Sequence, residues 1–99
     1  MVRPRKPRNE TKELIKRAAA ALKEAGAREV YLFGLGARGK MREDSDIDLA
    51  VSGLPPEKFF HAMGNAGDIL RRPFDLVDLD EINPFTRYLK EEKELQSVG

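Results

Sequence analysis

Apolar and polar positions alternate in this 99-residue chain with two different periods. Leu14, Ile15, Ala18, Ala19, Leu22 and Ala25 recur at helical spacing, with Lys12, Glu13, Lys16, Arg17, Lys23 and Glu24 on the opposite side. That stripe predicts a core-packing helix. Asn9 or Thr11 can cap its start, and Gly26 suits a left-handed stop. Val30-Tyr31-Leu32-Phe33 is a short apolar run rich in strand-forming residues, and it predicts a strand covered on both faces. Asp46-Ile47-Asp48-Leu49-Ala50-Val51 alternates polar with apolar and predicts a second strand, broken by Gly53, Pro55 and Pro56. From Pro56 to Leu70, the apolar residues Phe59, Phe60, Met63 and Ile69 predict a second helix that Gly64 and Gly67 weaken and Pro73 ends. Phe74-Asp75-Leu76-Val77-Asp78-Leu79 is a third strand, and Asn83-Pro84 is a cap and first-turn pair for a last helix through Leu95. The order helix, strand, strand, helix, strand, helix predicts a small α/β sandwich with its helices on one side of a short sheet.

Composition narrows the chemistry. Hydrophobic residues make up 40% and charged residues 35%, too apolar for a disordered chain. No cysteine is present, which removes disulfides, thiolate metal sites and a cysteine nucleophile. The single histidine, His61, cannot build a zinc site alone, and it is read as a structural residue. No apolar run approaches the roughly 18 residues of a membrane span. Met1 to Arg8 lacks the apolar core of a signal peptide. The expectation is a soluble cytoplasmic domain without a membrane. The net charge of +1 is uneven: Arg3, Arg5, Lys6 and Arg8 leave 14 basic and 17 acidic side chains in the other 91 residues. Residues 1–8 therefore read as a basic tail, and residues 9–99 as one domain. The tail has two readings, a solvated segment or an arm that touches nucleic acid.

Two features carry candidate chemistry. Gly34, Gly36 and Gly39 satisfy a dinucleotide-type glycine pattern, but only six residues separate Gly39 from Asp46. A parallel crossover needs a dozen or more, so that reading fails. What remains is a glycine-rich turn whose backbone N–H groups can face an anion, with Arg38 and Lys40 adding positive charge. Asp46 and Asp48 lie two apart on a strand, so both leave one face, while Ile47, Leu49 and Val51 take the other. Paired carboxylates repel unless a cation sits between them, and Mg²⁺ suits one or two carboxylates with phosphate oxygens. Asp75 or Asp78 could complete a cluster; they lie three apart on opposite faces, and parity alone does not choose. Three carboxylates around two metals is an arrangement for in-line displacement at phosphorus.

Phe33-Gly34-Leu35-Gly36-Ala37-Arg38-Gly39 followed by Ser45-Asp46-Ile47-Asp48-Leu49 resembles the signature of minimal nucleotidyltransferases of the DNA polymerase β-like superfamily. The family pattern is Gly-Ser, ten residues, then Asp-x-Asp, and Gly34-Leu35 stands ten residues before Asp46-Ile47-Asp48. The resemblance runs from Val30 to Leu79 and points to Asp75 over Asp78. It implies the nucleotidyltransferase fold: a short mixed three-stranded sheet with helices mainly on one face, and a short helix between the first two strands. It also implies transfer of a nucleoside monophosphate, AMP from ATP or another NTP, to a hydroxyl with release of pyrophosphate. Asp46, Asp48 and Asp75 would be catalytic and would hold two Mg²⁺ or Mn²⁺ ions; Gly34, Leu35, Gly36 and Arg38 would lie along the nucleotide. Many such domains are antitoxins paired with a HEPN-domain RNase toxin that they adenylylate on tyrosine, so the implied partner is a HEPN-type toxin in a hetero-oligomer.

One departure stands out: Leu35 replaces the motif serine. A hydrogen bond to a charged group is worth roughly 1.5–3 kcal/mol, so its loss weakens nucleotide binding about ten- to a hundredfold. The alternative reading is thus a catalytically weak or inactive binding module that neutralises its partner by occlusion. Tyr88 reads as either surface contact or packing.

Overall fold

The computed structural model describes residues 7–34, 46–92 and 94–99. Its elements are α1 (Pro7–Glu24), β1 (Glu29–Phe33), β2 (Ile47–Ser52), a 3-10 turn (Pro56–Lys58), α2 (Phe59–Leu70), β3 (Phe74–Asp78), α3 (Pro84–Glu91) and β4 (Gln96–Ser97). The α/β class and the order of the six predicted elements agree with the sequence. The short helix implied between the first two strands falls in 35–45, outside the described residues, as do the first six residues of the basic tail.

Helix α1 begins at Pro7, two residues ahead of Asn9. Proline is tolerated there because the first helical N–H has no partner within the helix. Ile15, Ala18, Ala19 and Leu22 are buried, as their spacing predicts. The helix stops at Gly26, whose φ of 125° lies outside the range most side chains tolerate. Helix α2 carries the small buried residues Ala62 and Ala66, which join Ala18 and Ala19 in one core cluster. Small residues at such a contact let two helices approach closely.

The sheet has four strands in the order β3-β2-β1-β4, where three were expected. The fourth arises because α3 ends at Glu91, four residues before the predicted Leu95. The N–H of Glu94 closes the turn on the Leu89 carbonyl at 3.3 Å. The chain then runs back, so that Gln96 and Ser97 pair antiparallel with Leu32 and Tyr31. Strand β2 is antiparallel to β1 and parallel to β3, the latter reached through α2.

Alternation along the strands divides the sheet into two faces. Val30, Leu32, Ile47, Leu49 and Val51 join α1 and α2 in the larger core. On the other face Phe33 and Ala50 pack with Leu79 and with Leu89 of α3. Two of the three helices thus share one face, and α3 covers part of the other. Helix α3 is fastened at its first turn. Asn83 Oδ1 accepts from the Thr86 N–H at 2.9 Å, and the Thr86 hydroxyl accepts from the Asn83 N–H at 3.2 Å. The same hydroxyl, on a residue only 2% exposed, donates to the Glu81 carbonyl at 2.6 Å.

Loss of an N-cap side chain costs about 1 kcal/mol. Asn83→Ala is therefore expected to lower the unfolding midpoint by about 4–8 °C, read by thermal denaturation. An unchanged midpoint would remove the cap from the account of α3.

Candidate active site

Strand parity and register decide which carboxylates meet. Asp48 lies on β2 with its side chain on the face opposite Ile47 and Leu49, and Asp46 precedes it by two residues. In the parallel β2–β3 pair, Asp48 stands level with Asp75, whereas Asp78 stands level with Val51. Neighbours level in a sheet point to the same side, so Asp46, Asp48 and Asp75 share a face and Asp78 does not. Asp78 has other work: its Oδ1 accepts the Asp80 N–H at 2.9 Å, while Asp80 Oδ2 accepts the Gly53 N–H at 2.8 Å. These two acids hold the turn after β3 against the end of β2.

Asp48 is half-buried, and Asp46 and Asp75 are exposed. Burial is the main cause that pushes the Asp48 carboxyl above its ordinary range, followed by the negative charges of Asp75 and then Asp46. The direction records a site where negative charge is crowded and uncompensated. Part of the desolvation has a visible source. Phe33, the cross-strand neighbour of Asp48, is buried, and its ring meets that of Phe85 edge-on at 5.9 Å.

Gly34 closes the site from β1. Its φ of 70° is in the left-handed region. A Cβ at this position would lie 2.6 Å from Asp48 Oδ2. Glycine is therefore required twice, for its backbone conformation and to leave room for a carboxylate oxygen. Its neighbour in the structure is Asp48. Leu35, Gly36 and Arg38 lie outside the described residues, as do Glu43 and Asp44. His61 is exposed on α2. Tyr88 is 49% exposed on α3.

Three aspartates offer only hard oxygen donors, the set that Mg²⁺ or Mn²⁺ takes. Among the described residues, no three acidic or histidine side chains are drawn together closely enough to hold an ion. The aspartates match such an ion in donor chemistry and in sharing a face, and not in side-chain convergence.

The comparisons agree with this frame. A family model described as polymerase beta, nucleotidyltransferase, matches residues 13–96. A solved structure described as a candidate minimal nucleotidyltransferase is 28% identical, with a TM-score of 0.67 over 87% of this chain and 93% of that one. A chain from a toxin–antitoxin complex crystallised with AMP-PNP is 23% identical, with a TM-score of 0.63 over 90% of this chain and 71% of that one. Another comes from a complex of tri-AMPylated Shewanella oneidensis HEPN toxin with MNT antitoxin, 20% identical with a TM-score of 0.57 over 93% and 71% of the two chains. The last two likenesses establish a shared fold. No curated protein sequence matches this chain. Among the described residues, no helix is long and apolar enough to cross a membrane.

Two measurements test the geometry. A raised folded-state pKa means that ionised Asp48 costs the metal-free fold stability at neutral pH. Asp48→Asn is expected to raise the unfolding midpoint at pH 7 in a chelator. The gain should shrink as pH falls through the raised value and vanish below about 3.9, where the carboxyl is neutral in both folded and unfolded chains. A gain that is absent at pH 7, or that persists unchanged in acid, contradicts the assignment. Gly34→Ala should cost about 1–2 kcal/mol for the left-handed backbone alone. It should cost more in the native background than beside Asp48→Ala, because only the former retains the crowded oxygen; equal costs in the two backgrounds would sink the Gly34–Asp48 contact.

Proposed function

The chain belongs to the polymerase β nucleotidyltransferase family, and from that premise we propose that it transfers a nucleoside monophosphate, AMP from ATP, to a hydroxyl on a protein partner. The observation that carries the reading is the common face of Asp46, Asp48 and Asp75 beside Gly34. The bound AMP-PNP and the AMPylated toxin among proteins of the same fold support ATP and a HEPN-type toxin as substrate and partner. In that pairing the chain acts as the antitoxin, in a hetero-oligomer.

Asp46 and Asp48, with Asp75, would hold Mg²⁺. Bound there, the ions would neutralise the triphosphate and stabilise charge developing in an in-line displacement. The remaining steps belong to the chain and its substrates. Asp75, exposed on the edge strand, is assigned to accept the proton of the incoming hydroxyl. The hydroxyl oxygen forms a bond to the α-phosphorus while the bond to the β,γ-diphosphate breaks, and pyrophosphate leaves. Gly34 keeps Asp48 in position by presenting no side chain to it. Leu35, Gly36 and Arg38 are assigned to the triphosphate on the family pattern.

Leu35 favours a second reading, because a leucine cannot make the contact of the motif serine. On that reading the chain silences its partner by occlusion.

Incubation with Mg²⁺, ATP and a HEPN-type toxin, followed by mass spectrometry, separates the two. The first reading expects an AMP adduct on the partner, reduced at least a hundredfold in Asp46→Asn with partner binding retained. If the chain forms no adduct, or if Asp46→Asn/Asp48→Asn neutralises the partner as fully as the native chain, transfer is not how it acts.

A further inference from the structure

Four large apolar side chains are conspicuously exposed among the described residues: Phe60 at 80%, Ile82 at 88%, Phe85 at 49% and Tyr88 at 49%. Phe60 stands apart on α2, with Phe59 as its aromatic neighbour. Ile82 lies in the turn just before the Asn83 cap, and Phe85 and Tyr88 lie three apart on α3. Positions three apart on a helix lie along one side, and Ile82 lines the same groove as Tyr88, so the three form one stripe at the start of α3. Nothing in local structure demands it. The inward side of α3 is already satisfied by Thr86 and Leu89, both buried.

The stripe is continuous with the carboxylate face. Phe85 touches Phe33, and Phe33 is the cross-strand neighbour of Asp48. A protein acceptor seated over this end of α3 would lie beside the carboxylate face. Beside the stripe runs a shallow open groove of about 480 Å³, lined by Ile82 and Tyr88 and edged by Arg87, Glu91 and Glu92. Two glutamates against one arginine make it a poor seat for a triphosphate. Apolar anchors with a rim of mixed charge match the composition of a protein–protein contact instead.

We propose that the Ile82–Phe85–Tyr88 stripe of α3 is the docking surface for the acceptor protein, and that it holds the acceptor while its hydroxyl reaches the aspartates. The inference rests on the transferase reading above and adds to it the surface that selects the acceptor. Ile82 and Tyr88 supply the anchors. Phe85 joins the docking surface to the wall of the active site.

The test uses Ile82→Asp/Tyr88→Asp in the full chain, since both side chains are exposed and the fold does not need them. Binding to a HEPN-type toxin is measured by calorimetry, adduct formation by mass spectrometry, and ATP binding by fluorescent analogue. The expected result is a loss of partner affinity of about tenfold or more and a parallel loss of adduct, with ATP binding and the unfolding midpoint unchanged. Ile82→Leu should restore native affinity. If the native chain forms no adduct, the transferase reading fails and takes this inference with it. If the native chain modifies the partner and the doubly substituted chain binds and modifies it equally well, the docking surface alone is overturned. Association of the chain with itself that Ile82→Asp/Tyr88→Asp abolishes would also overturn it, by assigning the stripe to a second copy.

Discussion

Asp48 and Asp75 stand level on adjacent parallel strands, where like charges work against pairing. The sheet tolerates them because the opposite face allows no other register. Ile47, Leu49 and Val51 alternate with Asp48 and Ala50, and a slip of one residue would put Asp48 into the α1–α2 core and expose Leu49. Burying each of those three apolar side chains is worth roughly 1.5–3 kcal/mol. Repulsion between two partly solvated carboxylates amounts to a few kcal/mol at most. Burial wins, and the charges remain opposed. Electrostatic strain at the site is thus sustained by hydrophobic packing on the far side of the same strands.

Division of labour along single strands follows from this. On β2, Asp48 is left half-open while Ala50, two residues on, is covered by the Leu89 cluster. Helix α3 covers the sheet at the level of Ala50 and reaches toward the aspartates only through Phe85 and Phe33. Its position depends on the Asn83–Thr86 cap and on the Thr86 hydroxyl bonded to Glu81. Moving that anchor would carry Phe85 away from Phe33 and change how water reaches Asp48. On the β1 side, Gly34 imposes the matching condition, since any side chain there would displace a carboxylate oxygen.

The parts legible in the sequence are those that depend on local spacing. The α1 stripe, the alternation of β2, the Asn83-Pro84 start of α3 and the shared face of Asp46 and Asp48 all reduce to periods of 3.6 or 2. Asp75 could not be separated from Asp78 in this way, because their relation to Asp48 is a register between strands 27 residues apart. The resemblance chose Asp75, and the register shows why Asp78 has no place on that face. Strand β4 escaped notice for a related reason: two polar residues make a strand only because the edge of β1 is there to pair with them. Tyr88 and Leu89 are adjacent in sequence and differ in burial, because successive helical residues point about 100° apart, and α3 is only eight residues long. So short a helix carries too few apolar positions to define its inner side before the packing is known.

The two faces of the sheet leave this domain little surface from which to make an acceptor pocket of its own. One face is filled by α1 and α2. The other is divided between the aspartates and α3. Selectivity for an acceptor would then be expressed on the outside of elements whose inner sides are already used. Helix α3 meets that condition: its inner side is anchored through Thr86 and Leu89, and its outer side presents the stripe that begins at Ile82. On the transferase reading, the partner supplies the wall that the small domain lacks. On that reading a seated acceptor would exclude water from the aspartates, which would tie nucleotidyl transfer to recognition.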